Sequence, residues 1–476
     1  MDRKSGVLMH ISSLPGEYSI GSFGEEAKQF VDFLKDSGFT YWQVLPFCLA
    51  DGFNSPYQSY SAFGGNPYFV DLPTLEKKGL LSKEELTSAK QKTPYVAEYE
   101  RLWNERFLLL KKASSRVANR AEIEKFIAEN KHLEAFCRFM ALKEANHHLP
   151  WNEWTNEAFD GDILFAWKMI QYEFFTQWQD IKKYANENGI KIIGDIPIYV
   201  SYDSCDVWDN RSQFQLSEDG TPKKVAGVPP DYFSADGQLW GNPLYDWNVM
   251  KQNDYRWWRD RISHMATLFD AIRIDHFRAF ESYWAVPFGA ETAKEGSWQD
   301  GPRMDFIRAI QDAAGKCQII AEDLGDITPE VHQLVKESTF PGMRVFQFGF
   351  LSEGDSLHKP HHYPKNSVAY TGTHDNNTLL GYLWELPEHL KKEMLAYCGH
   401  DGDWGTGCKS MIRAVLSSHA DWAILPIQDL LGYGSDTRLN TPGTAEGNWQ
   451  FRITKEQLHS IDKAYWKKLN QRYARL

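Results

Sequence analysis

Asp270-Ala271-Ile272-Arg273-Ile274-Asp275-His276-Phe277-Arg278 is the stretch from which the rest of the chain can be read. As an extended strand its side chains alternate, so Arg273 and Asp275 share one side while Ala271, Ile272 and Ile274 make packing contacts. A short apolar strand ending in an ion pair is either a structural salt bridge or the floor of a site. Two later stretches have the same form. Ala321-Glu322-Asp323-Leu324-Gly325 and Thr373-His374-Asp375-Asn376-Asn377 each follow a short apolar run, so three strand ends carry carboxylates.

Working outward, strand-like runs fall at 6–9, 41–46, 190–200, 271–274, 318–321, 343–346, 368–370 and 422–426. Helical periodicity separates them at 24–37, 255–268, 304–314 and 329–336, and again between 377 and 417. Eight short apolar strands alternating with helices predict an α/β fold, a closed (β/α)₈ TIM barrel. Two long segments interrupt the alternation. About 47–189 holds an aromatic loop and a helical subdomain, with a long helix returning to Gly189. About 201–250 is polar and punctuated by Gly and Pro; a loop region of that length inside a compact domain is usually functional. The tail after Leu431, with Arg438-Leu439-Asn440, is expected to return over the barrel and end in a helix from Lys455. The expectation is a single catalytic domain over 1–476 with these two insertions.

Composition narrows the partners. The 476 residues carry 52 Lys and Arg against 64 Asp and Glu, a formal charge of −12, so there is no electrostatic footprint for nucleic acid. No run approaches the roughly 18 apolar residues that would cross a membrane, and the first residues lack a leader peptide's apolar core. The six cysteines are scattered without Cys-x-x-Cys spacing, which reads as free thiols in a cytoplasmic protein. His358, His361 and His362 lie among prolines and read as a solvated loop rather than a metal site. Aromatic residues make up 14% of the chain, including 18 Trp and 22 Tyr. In the loop 53–68 they read either as a self-packed loop or as the wall of a groove that stacks flat ligand faces.

In a (β/α)₈ barrel the strand carboxyl ends share one face. Asp195, Asp275, Glu322 and Asp375 follow the third, fourth, fifth and seventh strands and converge there. Asp323, adjacent to Glu322, points away and reads as structural. Four carboxyls can hold a divalent metal, but Arg273 beside Asp275 competes with a metal ion and favours a charged nucleophile instead. Glu322, crowded by Asp275 and Asp375, is expected to stay protonated as a general acid. That is the division of labour in a retaining glycosidase, with Asp375 and His374 binding sugar hydroxyls.

These motifs resemble the 4-α-glucanotransferases, also called amylomaltases or disproportionating enzymes, a branch of the α-amylase superfamily. The resemblance runs nearly end to end. It takes in Ser55-Pro56-Tyr57, Gly194-Asp195-Ile196-Pro197-Ile198, Pro229-Pro230-Asp231-Tyr232-Phe233-Ser234, Arg273-Ile274-Asp275-His276-Phe277-Arg278, Ala321-Glu322-Asp323-Leu324-Gly325 and Gly372-Thr373-His374-Asp375-Asn376. It implies Asp275 as nucleophile, Glu322 as acid/base and Asp375 as transition-state stabiliser. It further implies Tyr57, Asp195, Arg273 and His374 as donor-site ligands, and Tyr232, Phe233, Gln238 and Trp240 in the loop covering the groove. The implied reaction moves α-1,4-glucan segments between maltooligosaccharides or longer glucans, with no cofactor and no metal. An α-glucan hydrolase of the same superfamily and a non-catalytic glycan-binding protein are the alternatives. Ala279 stands where the family usually has Gly, and Arg303 where a Gly-Pro-Gly turn is usual. The chain resembles the compact form of the family, without an extra N-terminal domain.

Overall fold

A computed structural model describes residues 2–476 except 51, 53, 231–234 and 403–405. Its strands, in chain order, are β1 (Lys4–Leu8), β2 (Tyr41–Gln43), β3 (Lys191–Ile196), β4 (Lys224–Val228), β5 (Gln238–Pro243) and β6 (Ala271–Ile274). They continue with β7 (Ser282–Pro287), β8 (Ser297–Asp300), β9 (Gln318–Ala321), β10 (Gly342–Val345), β11 (Ser367–Tyr370) and β12 (Trp422–Pro426). Eight of them close a barrel in the order β1-β12-β11-β10-β9-β6-β3-β2, and every pair in it is parallel. This is the TIM barrel that the alternation predicts.

The period of two sorts the side chains. Ile193 and Ala271 point inward, where they join Leu8, Tyr41, Ile320, Met343, Tyr370 and Trp422 in an interior cluster. Ile192, Ile196, Ile272 and Ile274 belong to the larger core shared with the surrounding helices. Both faces of the strands are thus buried, which is why they read as continuous apolar runs. Asp195 and Arg273 take inward positions on the same face as Ile193 and Ala271, and they are register partners across β3 and β6.

Strand ends follow from the donors available. The second strand stops at Gln43 and the third at Ile196, short of the 46 and 200 expected; directly after β3, Pro197 has no N–H for the ladder, while after β2 only Val44 N–H still reaches Ile193 O. The Leu45 N–H goes to His10 Nδ1 instead. The long helix Gly161–Glu187 ends at Gly189, whose φ of +78° is left-handed. There Ile190 N–H bonds Ala185 O at 2.9 Å and Gly189 N–H bonds Asn186 O, the bonding of a glycine-terminated helix end that aims the chain into β3.

The segment 201–250 is less irregular than its composition predicts. β4 and β5 from this segment pair antiparallel with each other, and β4 pairs with β7, which pairs with β8. The resulting sheet, ordered β5-β4-β7-β8, stands apart from the barrel. Its strands are short, interrupted by Gly227, Gly241 and Pro243, and β7 lies beyond a barrel strand. Pairing across that separation leaves no local hairpin signature. At the other end of the chain Arg475 donates to the carbonyls of Lys4, Leu416 and Ala420, fastening the C-terminal helix to the barrel near β1 and β12. No helix among the described residues is long and apolar enough to cross a membrane, and all six cysteines are unpaired.

Gly194 has no room for a side chain. A Cβ there would lie 2.2 Å from the ring of Phe269, which packs between Phe47 and Trp178 at the entry to β6. The absence of a Cβ lets β3 and the start of β6 approach in the register that pairs Asp195 with Arg273. Gly194→Ala is therefore expected to lower stability by about 1–3 kcal/mol, read as a fall in the urea midpoint with little change in slope.

Candidate active site

Four carboxylates and one guanidinium meet at the carboxyl ends of the barrel strands. Arg273 Nη1 lies 2.9 Å from both oxygens of Asp195, and Arg273 Nη2 lies 2.9 Å from Asp275 Oδ1. The Asp195 side chain is fully buried and that of Asp275 is 29% exposed. Burial works against the charge on Arg273, but the carboxylates of Asp195 and Asp275 outweigh it and raise the guanidinium well above its ordinary value. One face of Asp275 is therefore held by a permanent cation while part of it opens to the pit. Asp195 is further held by the Tyr57 hydroxyl, which donates to its Oδ2 at 2.8 Å.

Glu322 sits in a different environment. Its carboxyl accepts from the backbone N–H of His276 at 2.6 Å and of Leu324 at 3.0 Å. Burial, then the charge of Asp275, push it up to about 8 despite those hydrogen bonds and the more distant Arg273. At neutral pH the favoured form is the acid. His276 reaches Glu322 through its own left-handed backbone, φ +50°, and burial lowers its imidazole to about 4, so it is neutral there. Adjacent Asp323 turns away: its Oδ1 accepts from Met343 N–H at 2.6 Å and its Oδ2 pairs with Arg344 at 3.1 Å. It ties β9 to β10, which fits the structural role expected of it.

Asp375 is the most exposed of the set, at 42%. His374 Nε2 lies 3.3 Å from its Oδ2, and Asn440 Nδ2 donates to its Oδ1 at 2.6 Å. Arg438 Nη2 donates to the Asp375 carbonyl, also at 2.6 Å. Tyr57 stacks on His374 with ring centroids 4.9 Å apart and planes 13° apart, and Trp449 leans on both rings at 5.9 and 5.8 Å.

Tyr57, Asp195, Arg273 and His374 therefore come together with Asp275, Glu322 and Asp375. Trp240 reaches the rim, edge-on to His276 at 4.8 Å, and its indole N–H donates to the exposed Gln238 at 3.1 Å. Tyr232 and Phe233 lie outside the described residues. Sequence reasoning missed the direct hold of Arg438 and Asn440 on Asp375 and the place of Trp449 beside His374. It carried the tail back over the barrel, but contacts between positions more than 60 residues apart leave no spacing to read. The departures at 279 and 303 have local explanations. Ala279 is buried in the right-handed turn Phe277–Phe280. Arg303 adopts φ +51°, a region that favours glycine, and its guanidinium is held by Glu281 and Asp300, each at 3.0 Å.

This barrel and its pit have known counterparts. A 4-alpha-glucanotransferase family model matches residues 9–458. The chain belongs to the 4-alpha-glucanotransferase family. It is 43% identical over 475 residues to the 4-alpha-glucanotransferase of Streptococcus pneumoniae, spanning 96% of this chain and 94% of that one. To the Thermus thermophilus 4-alpha-glucanotransferase it is 40% identical over 484 residues, 96% of each chain. The amylomaltase from Streptococcus agalactiae in complex with acarbose superposes with a TM-score of 0.95 at 38% identity, covering 99% of both chains. This chain is thus a 4-alpha-glucanotransferase, an amylomaltase of the α-amylase clan.

In this glucanotransferase Arg273 is the cation shared by Asp195 and Asp275, so removing it strands a buried carboxylate. Arg273→Met is expected to lose about 3–5 kcal/mol of stability, measured by denaturant unfolding. Asp195→Asn in the Arg273→Met background should recover part of that loss, because the double variant no longer buries an unpaired charge.

Proposed function

We propose that this 4-alpha-glucanotransferase works by retaining double displacement, with Asp275 as nucleophile, Glu322 as acid/base and Asp375 as stabiliser of the transition state. The observation that carries this reading is the split between two neighbouring carboxyls, Asp275 paired with Arg273 and Glu322 raised to about 8. In the first step a carboxylate oxygen of Asp275 attacks the anomeric carbon. The glycosidic bond breaks, its oxygen takes the proton of Glu322, and the leaving glucan departs with a free 4-hydroxyl. In the second step the Glu322 carboxylate takes the proton from an acceptor's 4-hydroxyl. That oxygen attacks the same carbon and releases Asp275. Two inversions retain the α configuration, and every proton is accounted for by one residue.

Asp375, oriented by Asn440 and beside His374, is suited to accept hydrogen bonds from sugar hydroxyls as the ring flattens toward an oxocarbenium ion. Tyr57, Asp195, Arg273 and His374 form the wall of the donor side. Trp240 and Gln238, with Tyr232 and Phe233, belong to the segment assigned to cover the groove. Transfer prevails over hydrolysis where a bound acceptor sugar meets the intermediate at a high effective concentration. The substrates on this reading are maltooligosaccharides and longer α-1,4-glucans, and the chemistry needs no cofactor. The chain is read as one catalytic unit, residues 1–476, with insertions over about 47–189 and 201–250.

Two measurements test this. Maltotriose should be converted to glucose and a ladder of longer maltooligosaccharides; glucose and maltose without longer products would mark a hydrolase. Glu322 must hold its proton in the free enzyme, so kcat/KM should fall on the alkaline side with a midpoint near pH 8. Glu322→Gln should lower kcat by about 10²-fold or more and abolish that limb; an unchanged limb in the residual activity would remove Glu322 from the acid/base role.

A further inference from the structure

Away from the active site, among the described residues, one trio of side chains has the spacing of metal ligands: Asp355, His361 and His362. One ligand atom of each lies within 4.8 Å of the others. His362 Nε2 is 2.6 Å from Asp355 Oδ2, and His361 Nε2 is 3.5 Å from Asp355 Oδ1. The sequence places these histidines in a proline-bounded loop, and that remains true. The fold adds Asp355, carried back over the turn Pro360–His362, so that both Nε2 atoms face one carboxylate.

We propose that Asp355, His361 and His362 form a surface site for a divalent transition-metal ion of the zinc class, with Tyr397 orienting His361. Two imidazoles and a carboxylate are a borderline-soft donor set suited to Zn²⁺ or Co²⁺ rather than to Ca²⁺ or Mg²⁺. Bonds of about 2.0–2.2 Å to a tetrahedral ion place its ligands roughly 3.3–3.5 Å apart. The His361 Nε2–Asp355 Oδ1 separation already has that value, and the His362 Nε2–Asp355 Oδ2 contact, made to the other oxygen, lengthens to it by about 1 Å as the ion replaces that hydrogen bond. The far side of His361 is prepared as well. Its Nδ1 is 2.9 Å from the Tyr397 hydroxyl, which also accepts the His361 backbone N–H at 3.2 Å. A phenol O–H both donates and accepts, so it can bond the His361 ring in either tautomer. In the tautomer that donates Nδ1–H to this hydroxyl, the Nε2 lone pair faces Asp355, and an outer hydrogen bond of that kind is typical of metal-bound histidine.

The trio is solvent-exposed, and Asp355 also borders an open cavity of about 500 Å³ with Glu353 and His389. The remaining coordination positions fall to water, so the ion exchanges. Its effect is local: it fastens Asp355 to the turn Pro360–His362, which the Tyr397 hydroxyl already ties to the helix Glu388–Tyr397. His361 also borders a cavity lined by Ser418 and His419, and Asp421 N–H, just before β12, bonds Lys365 O just before β11. These contacts put His361 toward the strands' amino ends, opposite the catalytic pit, so metal binding is expected to leave glucan transfer unchanged.

The test is calorimetric titration of chelator-treated full-length protein with ZnCl₂ at pH 7.5, paired with Co²⁺ absorption spectra. One equivalent of Zn²⁺ should bind, Co²⁺ should give visible d–d bands, and the thermal midpoint should rise with added Zn²⁺. His361→Ala with His362→Ala should abolish all three effects. Tyr397→Phe, which keeps every ligand, should weaken binding by about tenfold or more. No saturable binding by the wild type overturns the proposal, as does identical binding by the double-alanine variant, which would place the metal on other histidines.

Discussion

Everything in the pit is arranged around a buried chain of charge, Asp195–Arg273–Asp275. One guanidinium serves two carboxylates from opposite sides, each at 2.9 Å. Taking Arg273 and Asp195 out of water costs several kcal/mol per ion and is offset only by good geometry with every donor and acceptor used. That geometry is set by register. Asp195 and Arg273 are cross-strand partners on β3 and β6, and Tyr57 closes the remaining side of Asp195. The ion chain is poor evidence of stability in itself; its value is orientation. It holds Asp275 at the end of β6 with one oxygen bound and the rest of the carboxylate toward the opening.

With Asp275 held in this way, the properties of Glu322 follow. The carboxyl is buried close to a carboxylate already committed to Arg273, so its own charged form is the one disfavoured. Two carboxyls of similar chemistry thus meet opposite surroundings, one paired with a cation and one buried beside a carboxylate, and the proposed division into nucleophile and acid rests on that contrast. Asp375 is a third case: more exposed, with one oxygen 2.6 Å from a neutral amide donor, Asn440. Because Asn440 and Arg438 come from the tail, the last quarter of the barrel and the segment beyond it complete a site that begins at β3.

The proposed metal trio belongs to the same protein but not to the same machinery. The pit uses burial to set protonation, whereas Asp355, His361 and His362 are exposed, and there an ion would fasten one surface loop onto itself. The difference in burial keeps the two separate in energy as well as in position, since exposed charges are screened by solvent and salt while those in the pit are not.

Several features were legible in the chain alone, because they depend on local pattern. Short apolar runs alternating with helices set the barrel and its strand count, and period two placed Arg273 and Asp275 on one face. A carboxylate at the end of each of several parallel strands implies one shared face, whatever the details between. Residue spacing could not report contacts made between distant segments. The pairing of Asp195 with Arg273, the His276 backbone donor on Glu322, the hold of Asn440 on Asp375, and the sheet joining β4 to β7 all involve partners far apart in sequence. Their distances depend on how strands align and how far side chains are buried, and these are properties of the closed barrel. The residue types were written in the sequence; which carboxyl stays protonated and which stays paired was decided by tertiary structure, because burial and the nearest charge determine the cost of ionising each one.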